Sequence, residues 1–441
     1  MQCSLSSLST TTATGHTAAL TFSLPSRPCA QAPDPSPPVQ SWAVSTTSMR
    51  GRLELDALLP PFNFTDRSGE LESLKSDIRS GQNVVIISPR RFGKSSLVQQ
   101  ATSELRSEGI LSATLDLFGI TSLEHLADAV TAVVYRDLAR PLSRAYHEAL
   151  ELLGRIQPQI QVEIGAGEVA SITLKPALAK KDVLSALEAA LALPGQIADS
   201  QGKRVAFVMD EFQNAVMIDK DLPAIMRTVF QRQGKVAHIF MGSQQSLMTT
   251  LFTERGQPMY RLAKRVPLGP IPAAEFAPFI EDGFATTGLK ISADAVARLL
   301  ELSEGHPYHT QELASATWNI AVAALEPVSV ETVHAAHESV YRAESPLYVS
   351  EWEKISAHQR RTLVAVADDP KGQVYSDEYR RRYDLGAASS VQRSIEQLVN
   401  RNVIQGTAAG QFQVPDPYFR LWLRRLARQN TVAPTNQQYA K

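Results

Sequence analysis

Eight consecutive residues, Ser88-Pro89-Arg90-Arg91-Phe92-Gly93-Lys94-Ser95, meet the pattern G-x-x-x-x-G-K-[ST] at every fixed position but the first, where Ser88 stands for glycine. Each residue type has a task in holding a polyphosphate. Backbone N–H groups of such a loop, and of a helix that follows it, point inward at an anion. Gly93 lets the backbone approach closely, Lys94 sets a positive charge against the terminal phosphates, and Ser95 and its neighbour Ser96 offer hydroxyls, Ser95 to Mg²⁺. Arg90 and Arg91 read as solvated or salt-bridged side chains. If the first position demands a positive φ, serine costs about 1 kcal/mol more than glycine there. ATP and Mg²⁺ are the expected cofactors.

A second set of chemical groups lies further along. Val205–Met209 is an apolar run that ends in Asp210-Glu211. Carboxylates at the C-terminal end of a parallel strand sit in the same crevice as a phosphate loop. Asp210 is expected to hold Mg²⁺ and Glu211 to orient and deprotonate an attacking water; the alternative is a pair of solvated loop carboxylates. Val236–Met241 is another strand-like run, followed by Gly242-Ser243-Gln244. A strand between the other two would bring Ser243, or secondarily Gln244, near the γ-phosphate; an ordinary strand-end turn is the alternative. Arg255, Arg261 and Arg265 follow, with Arg255 the first candidate for an arginine that stabilises transition-state charge.

The elements that must position these groups alternate in type. Apolar, β-branched Asn83–Ile87 precedes the loop and a helical pattern, Lys94 to about Gly109, follows it. Glu70–Ser80, Ser122–Leu138 and Lys181–Leu193 read as helices, and Ser112–Leu117 and Arg265–Leu268 as strands. Alternation of this kind predicts a parallel sheet covered by helices. Pro158–Pro176 carries Ile160, Val162 and Ile164, then a glycine break, then Val169, Ile172 and Leu174. It reads as an inserted β-hairpin, with an irregular loop as the alternative. Beyond Pro272 the chain turns helical: Ala273–Phe284, Ser292–Ser303, Tyr308–Leu325 and Val330–Ala343, with a boundary expected at Glu344–Pro346.

Taken with these motifs, the chain resembles the archaeal-type ATPases of the STAND branch of AAA+-like P-loop NTPases, relatives of the origin-recognition ATPases. Four stretches carry the resemblance: Phe64-Thr65-Asp66-Arg67-Ser68-Gly69-Glu70-Leu71, the loop Ser88–Ser96, Asp210–Gln213, and Gly242-Ser243. Asp66 stands where the family has glycine. The resemblance implies that Phe64 and Arg67 lie near the adenine. It also implies that Gly305-His306-Pro307-Tyr308, with Gln311, forms the turn of a helical lid in which Pro307 packs on the base. A plain Gly-Pro turn between helices is the alternative.

After the expected boundary, Ile355–Ala367, Ser376–Tyr383 and Ala388–Asn400 read as three helices, and Val403-Ile404 and Gln411–Val414 as a two-stranded wing around Gly406–Gly410. Helix, helix, helix and hairpin make a winged helix-turn-helix. Asp416-Pro417-Tyr418-Phe419 and Trp422 close the unit. Residues 345–430 hold 13 Lys+Arg and 9 Asp+Glu. A net +4 permits double-stranded DNA binding through 376–414, by Ser390, Gln392, Arg393, Arg401 and Arg380–Arg382, without demanding it. The other use is to report nucleotide state by packing on the core.

Whole-chain properties exclude several classes. The 441 residues carry a net charge of −1, 44 % hydrophobic and 20 % charged residues, which fits a globular chain of several folding units. The two cysteines, Cys3 and Cys29, fall in the N-terminal tail, so the body has no disulfide or cysteine metal site and suits a reducing, cytoplasmic setting. No run of 18 apolar residues suggests a membrane helix. Residues 1–48 are rich in Ser, Thr, Ala and Pro and read as a disordered tail or an early start, with Met49 as the other start; a signal or transit peptide is the alternative.

The expected protein is an α/β P-loop NTPase core (49–271) with a helical lid (272–344), a C-terminal winged helix (345–430) and a flexible tail (431–441). It is expected to be an ATPase, slow or partner-stimulated, that switches the winged helix. The alternatives are a DNA-binding ATPase of mobile-element or defence type and a non-hydrolysing ATP-dependent scaffold. A homo-oligomer or a protein partner is possible, and no membrane is involved.

Overall fold

A computed structural model describes residues 67–139, 160–165, 168–174 and 180–432. The chain runs from helix α1 (Ser68–Ser80) into strand β1 (Val84–Ile87), the phosphate-type loop and α2 (Lys94–Ser107). β2 (Leu111–Asp116) and α3 (Leu123–Val134) follow, the latter extended by a π-helical turn over Tyr135–Ala139. β3 (Ile160–Gly165) and β4 (Glu168–Leu174) form an antiparallel hairpin, as the alternation around the glycine break predicts. Then come α4 (Lys180–Gln201), β5 (Val205–Asp210), α5 (Asn214–Ile218), α6 (Leu222–Phe230), β6 (Val236–Gly242), α7 (Gln245–Thr253) and β7 (Lys264–Pro267).

Five of these strands form one parallel sheet in the order β2-β5-β6-β1-β7. Its central strands, VVII, VAFVMD and VAHIFMG, are buried along their whole length, which is why they are continuous rather than alternating apolar runs. Their side chains divide between two cores. Val84, Ile86, Val208 and Ile239 meet Leu74, Ile78, Leu97 and Ala101 of α1 and α2. Val85, Ile87, Phe207 and Phe240 meet Leu126, Val130, Leu187, Leu191 and Met226 of α3, α4 and α6. A sheet covered on both faces leaves only its C-terminal edge for a site.

The helical pattern of the sequence covers Lys181–Leu193 and ends before Pro194. The helix instead runs through Pro194 to Gln201. Leu187, Leu191, Leu193, Ile197 and Ala198 are all buried on its core side. Burial of several aliphatic side chains, each contributing about 1.5–3 kcal/mol, outweighs the ~3 kcal/mol that an interior proline costs.

Past the sheet the chain is helical: α8 (Ala273–Thr286), α9 (Ala293–Ser303), α10 (Pro307–Ala324) and α11 (Val330–Glu353). α11 is 24 residues long and continuous through Glu344–Pro346, where the sequence suggested a boundary. Its first half gives Val333 and Ala336 to a core with Phe276, Ile280, Leu299 and Leu313. Its second half gives Val340 and Tyr348 to the next core, with Leu363, Val366, Val391, Ile395 and Leu398. One helix therefore serves two hydrophobic cores.

That last core belongs to α12 (Ala357–Asp368), α13 (Asp377–Arg382), α14 (Ala388–Asn400), the wing β8 (Gln405–Ala408) and β9 (Gln411–Gln413), and α15 (Pro417–Val432). Serine caps start α11 and α12, each with its third residue bonding back to the cap: Ser329 with Thr332, Ser356 with Gln359. The molecule is thus a P-loop α/β core with a helical lid and a winged helix. Among the described residues, no helix is long and apolar enough to cross a membrane.

Candidate nucleotide site

The parallel register brings three strand ends together. Ile87 pairs with Gly242 and Asp116 with Asp210, while the Phe212 N–H donates to Met241 O at 2.8 Å. The residues that leave these strands, Ser88, Ser243 and Glu211, therefore share one edge. The reading from sequence, that the third strand lies between the loop strand and the acidic strand, matches the observed order.

Within the loop, positive φ falls on Arg91 (66°) and Gly93 (80°), not on Ser88. The serine at the first motif position thus carries no left-handed strain. It is fully buried, and its hydroxyl lies 3.4 Å from Pro89 O. Gly93 is the N-cap of α2; no side chain caps this helix and its first turn holds no acid. The first N–H groups of α2, including those of Ser95 and Ser96, are left to an anion.

Lys94 crosses the loop from inside. Its Nζ donates to Ser88 O at 3.0 Å and Pro89 O at 2.7 Å, and the residue is buried. Burial pulls its ammonium down to about 8, against the opposing charges of Glu211 and Asp210. The Ser95 hydroxyl donates to Asp210 Oδ2 at 3.2 Å, and the Glu211 N–H to Asp210 Oδ1 at 2.8 Å. Burial raises the Asp210 carboxyl above its ordinary value; the bond from Glu211 N–H lowers it, and the charges of Glu211 and Asp116 raise it further. A hydroxyl and a carboxylate side by side are hard oxygen donors of the kind Mg²⁺ takes one or two of, beside phosphate oxygens and water. The donor set fits the ion.

Glu211 stands at φ 49°, a left-handed position uncommon for a side chain of its size. Its Oε2 accepts from Ser243 Oγ at 3.0 Å and, closely, from Gln213 Nε2. Gln244 is the N-cap residue of α7, and its side chain makes no capping bond. Arg255 is exposed in the turn beyond α7, Arg261 stacks on Tyr260, and Arg265 is exposed on edge strand β7. The structure gathers Lys94, Ser95, Asp210, Glu211 and Ser243, and leaves these three arginines outside the group.

Arg67 is turned onto the loop's backbone. Its guanidinium donates to Phe92 O at 3.3 Å and Gly269 O at 2.7 Å and pairs with Glu70 at 3.1 Å. It ties the loop to the segment leading into the lid. Phe64, the other residue implied for the adenine, lies outside the described residues.

From the loop, contacts continue into the lid. The Phe92 ring meets His306 edge-on at 4.4 Å, and the Arg91 guanidinium lies 4.1 Å over the Tyr308 ring. Gly305 (φ 65°) is required here, because a Cβ would fall 2.4 Å from Ile271 O. Pro307 is buried at the first position of α10, behind its N-cap His306. Burial pushes the His306 imidazole down to about 3, with the charge of His309 adding to it, so it is neutral and can accept the His309 N–H. His309 titrates the other way. Burial lowers it, but Asp416 at 3.3 Å and Glu312 at 3.2 Å more than compensate and hold it up to about 9. The sequence gives His309 no part, Gln213 only a place in the stretch Asp210–Gln213, and Asp416 only a place in the segment that closes the winged-helix unit. Nothing local signals a pair, His309 and Asp416, 107 positions apart.

A glycine-hinged phosphate loop at the head of a helix, with a lysine inside it and a carboxylate beside its serine, defines a P-loop nucleotide-binding protein. The chain belongs to the family of ATPase domains found predominantly in Archaea, whose model matches residues 64–313. It is an ATP-binding P-loop ATPase. A family described as a probable winged helix domain matches residues 346–425. Among solved structures, the chain is similar to a Walker-type ATPase of Pyrococcus abyssi at 17 % identity and TM-score 0.58, over 82 % of this chain and 96 % of that one. It is also similar to the ORC2 protein of Aeropyrum pernix in its ADPNP–ADP complexes, at 14 % identity and TM-score 0.53, over 87 % and 99 %. Among curated proteins none matches.

Proposed function

We propose that the chain is a Mg²⁺-dependent ATPase whose nucleotide cycle is read out by its winged-helix domain. The observation that carries this reading is the continuous set of contacts from the loop to the last helix. Arg91 and Phe92 touch Tyr308 and His306, and His309 one turn on pairs with Asp416. A nucleotide that reshapes the loop must disturb this set, and differential contact is what shifts a conformational equilibrium.

For hydrolysis, Lys94 would exchange its two loop carbonyls for the phosphates, and Ser95 and Asp210 would hold a Mg²⁺ ion, which when bound would supply charge neutralisation at the phosphate oxygens. Glu211 accepts a proton from water as the water oxygen bonds to the γ-phosphorus. The bond from that phosphorus to the bridging oxygen breaks, its electron pair leaves with ADP, and the proton passes on to phosphate or solvent. Turnover is slow in the isolated chain and rises with a partner. Arg255, exposed beyond α7, is the candidate for supply to a neighbouring copy.

Hydrogen exchange across 355–432, with and without a non-hydrolysable ATP analogue, tests the coupling. Protection that changes with nucleotide in the wild type, and not in Asp416→Asn, supports it. Unchanged exchange in both, with tight nucleotide binding, sinks it and favours an ATP-dependent scaffold.

A second reading rests on α14. Ser390, Gln392 and Arg393 are exposed along it, Arg401 just past its end also pairs with Glu351, and Arg381 and Arg382 are exposed nearby. These suit the phosphates of double-stranded DNA, and would make the chain a DNA-binding ATPase of mobile-element or defence type. Binding that weakens with salt and falls in Arg393→Ala supports it; no binding at low salt removes it.

A further inference from the structure

We infer that Gln213 is a positioning residue for ATP hydrolysis, holding the Glu211 carboxylate in the orientation in which it meets water; the inference rests on the role of Glu211 proposed above. Two donors reach one oxygen of that carboxylate from two different strand ends. Ser243 Oγ, beyond β6, lies 3.0 Å from Oε2, and Gln213 Nε2, in the turn after β5, donates closely to the same atom. Two donors on Oε2 fix the plane of the carboxylate and leave Oε1, which no described donor takes.

The seat of Gln213 is built for an amide. The residue is buried at 3 % exposure. Its backbone lies in the turn fixed by Phe212 N–H to Met241 O and by Asn214 N–H to Glu211 O at 2.9 Å. Opposite it, β6 ends in Gly242, where a Cβ would come 2.7 Å from Gln213 Oε1 and 2.5 Å from Met248 Cγ. The glycine leaves the amide its room.

The amide is also incompletely satisfied. Gln213 Oε1 is buried and meets no hydrogen-bond donor among the described residues. An unpaired acceptor beside Met248 is unfavourable for folding, and an apolar side chain of the same length would avoid it. What the amide provides, and an apolar chain would not, is the donor on Glu211. A group retained against stability at a strained turn is the pattern expected where placement of a reacting group matters.

The test is steady-state ATP turnover and nucleotide affinity of the full chain with Gln213→Met, Glu211→Gln and the double variant. Gln213→Met keeps the length and removes the donor. The expected result is a fall in kcat on the order of 10- to 100-fold, with nucleotide affinity within about two-fold and a melting temperature no lower than wild type. If Gln213 acts through Glu211, the double variant retains the same residual turnover as Glu211→Gln alone. Wild-type kcat in Gln213→Met, or a further multiplicative loss in the double variant, overturns the inference. Should Gln213→Met not fold, Gln213→Asn keeps the amide one methylene short of Glu211 and is expected to lose kcat equally. Full turnover in Glu211→Gln would instead remove the proposed base itself, an outcome separate from a failure at Gln213 alone.

Discussion

His309 Nε2, in the first turn of the lid helix α10, lies 3.3 Å from Asp416 Oδ1, at the start of the last helix of the winged-helix domain. Asp416 also accepts from the Phe419 N–H at 2.9 Å, and from the Tyr348 hydroxyl at 3.5 Å. The pair is a charged joint between two domains, set one turn from the residues that touch the phosphate loop.

Its titration gives a prediction. His309 folds with its value raised to about 9, so its contribution is complete below the unfolded value of 6.5 and is lost as pH rises through 9. Asp416 moves oppositely: burial raises it, but the His309 bond and charge bring it below 3.8 in balance, so its share is lost as pH falls through that lowered value. Glu344 is pushed up to about 7 by burial and the charge of Glu312, which adds to the loss as pH rises. Glu312 and His306 act on the pair, and Glu344, Tyr308, Tyr348 and Tyr418 face it and feel its charge, with Arg91 beside them. The joint is expected to be tightest near pH 4–4.5; the Glu344 share is lost as pH rises from about 4.5 through 7, and the His309 share, up to roughly 3 kcal/mol, between pH 6.5 and 9. Thermal melts across that range should show a steeper pH dependence between pH 6.5 and 9 in the wild type than in Asp416→Asn, where Glu312 alone still pairs with His309.

Lys94→Met is expected to lower nucleotide affinity by about 100-fold or more, since the cation facing the phosphates is gone. Without nucleotide the same change should cost little stability, because the desolvation of the buried ammonium outweighs the charges of Glu211 and Asp210, and its hydrogen bonds among the described residues go only to two carbonyls. Fluorescent-nucleotide titration and a melt of the free protein read both. A large drop in the melting temperature would mean that Lys94 holds the loop together.

Glu211→Gln should bind ATP within a few-fold of wild type and lose turnover by about 10²–10⁴-fold. Trapped ATP after a spin column, rather than ADP, is the direct check. Equal turnover would assign the water to another group.

Gly305→Ala should be among the most damaging changes outside the strands. Its Cβ would fall 2.4 Å from the carbonyl of Ile271, at φ 65°. A loss above about 2 kcal/mol is expected, together with weakened nucleotide dependence of winged-helix exchange. A wild-type melting temperature would show that the turn can move away.

What could be read beforehand follows from how local each signal is. The loop, its strand and its helix are contiguous, so Gly93, Lys94 and Ser95 declare themselves together. Ser243 was expected near the γ-phosphate, with an ordinary strand-end turn as the alternative; its bond to Glu211 follows only from the strand order, which the sequence does not set. The positive φ at Arg91, and its absence at Ser88, depend on the tertiary seat of the loop over Tyr308 and were not legible. Pro194 and Pro346 each suggested a helix end where burial on both sides carries the helix through. Arg67 was expected by resemblance near a base, and its bonds to Phe92 and Gly269, the latter 202 positions away, are beyond any local pattern.

The continuity of Val330–Glu353 has a thermodynamic consequence. Val333 and Ala336 complete one core, and Val340 and Tyr348, a turn or more further, complete the next. Neither core can melt without stripping partners from a helix that the other needs, so the two should lose structure in a single cooperative transition, independent of how strongly their surfaces attract one another. Pro346 lies inside that shared helix and leaves one backbone carbonyl of the preceding turn without its helical donor, so the link between the two cores is weakest there.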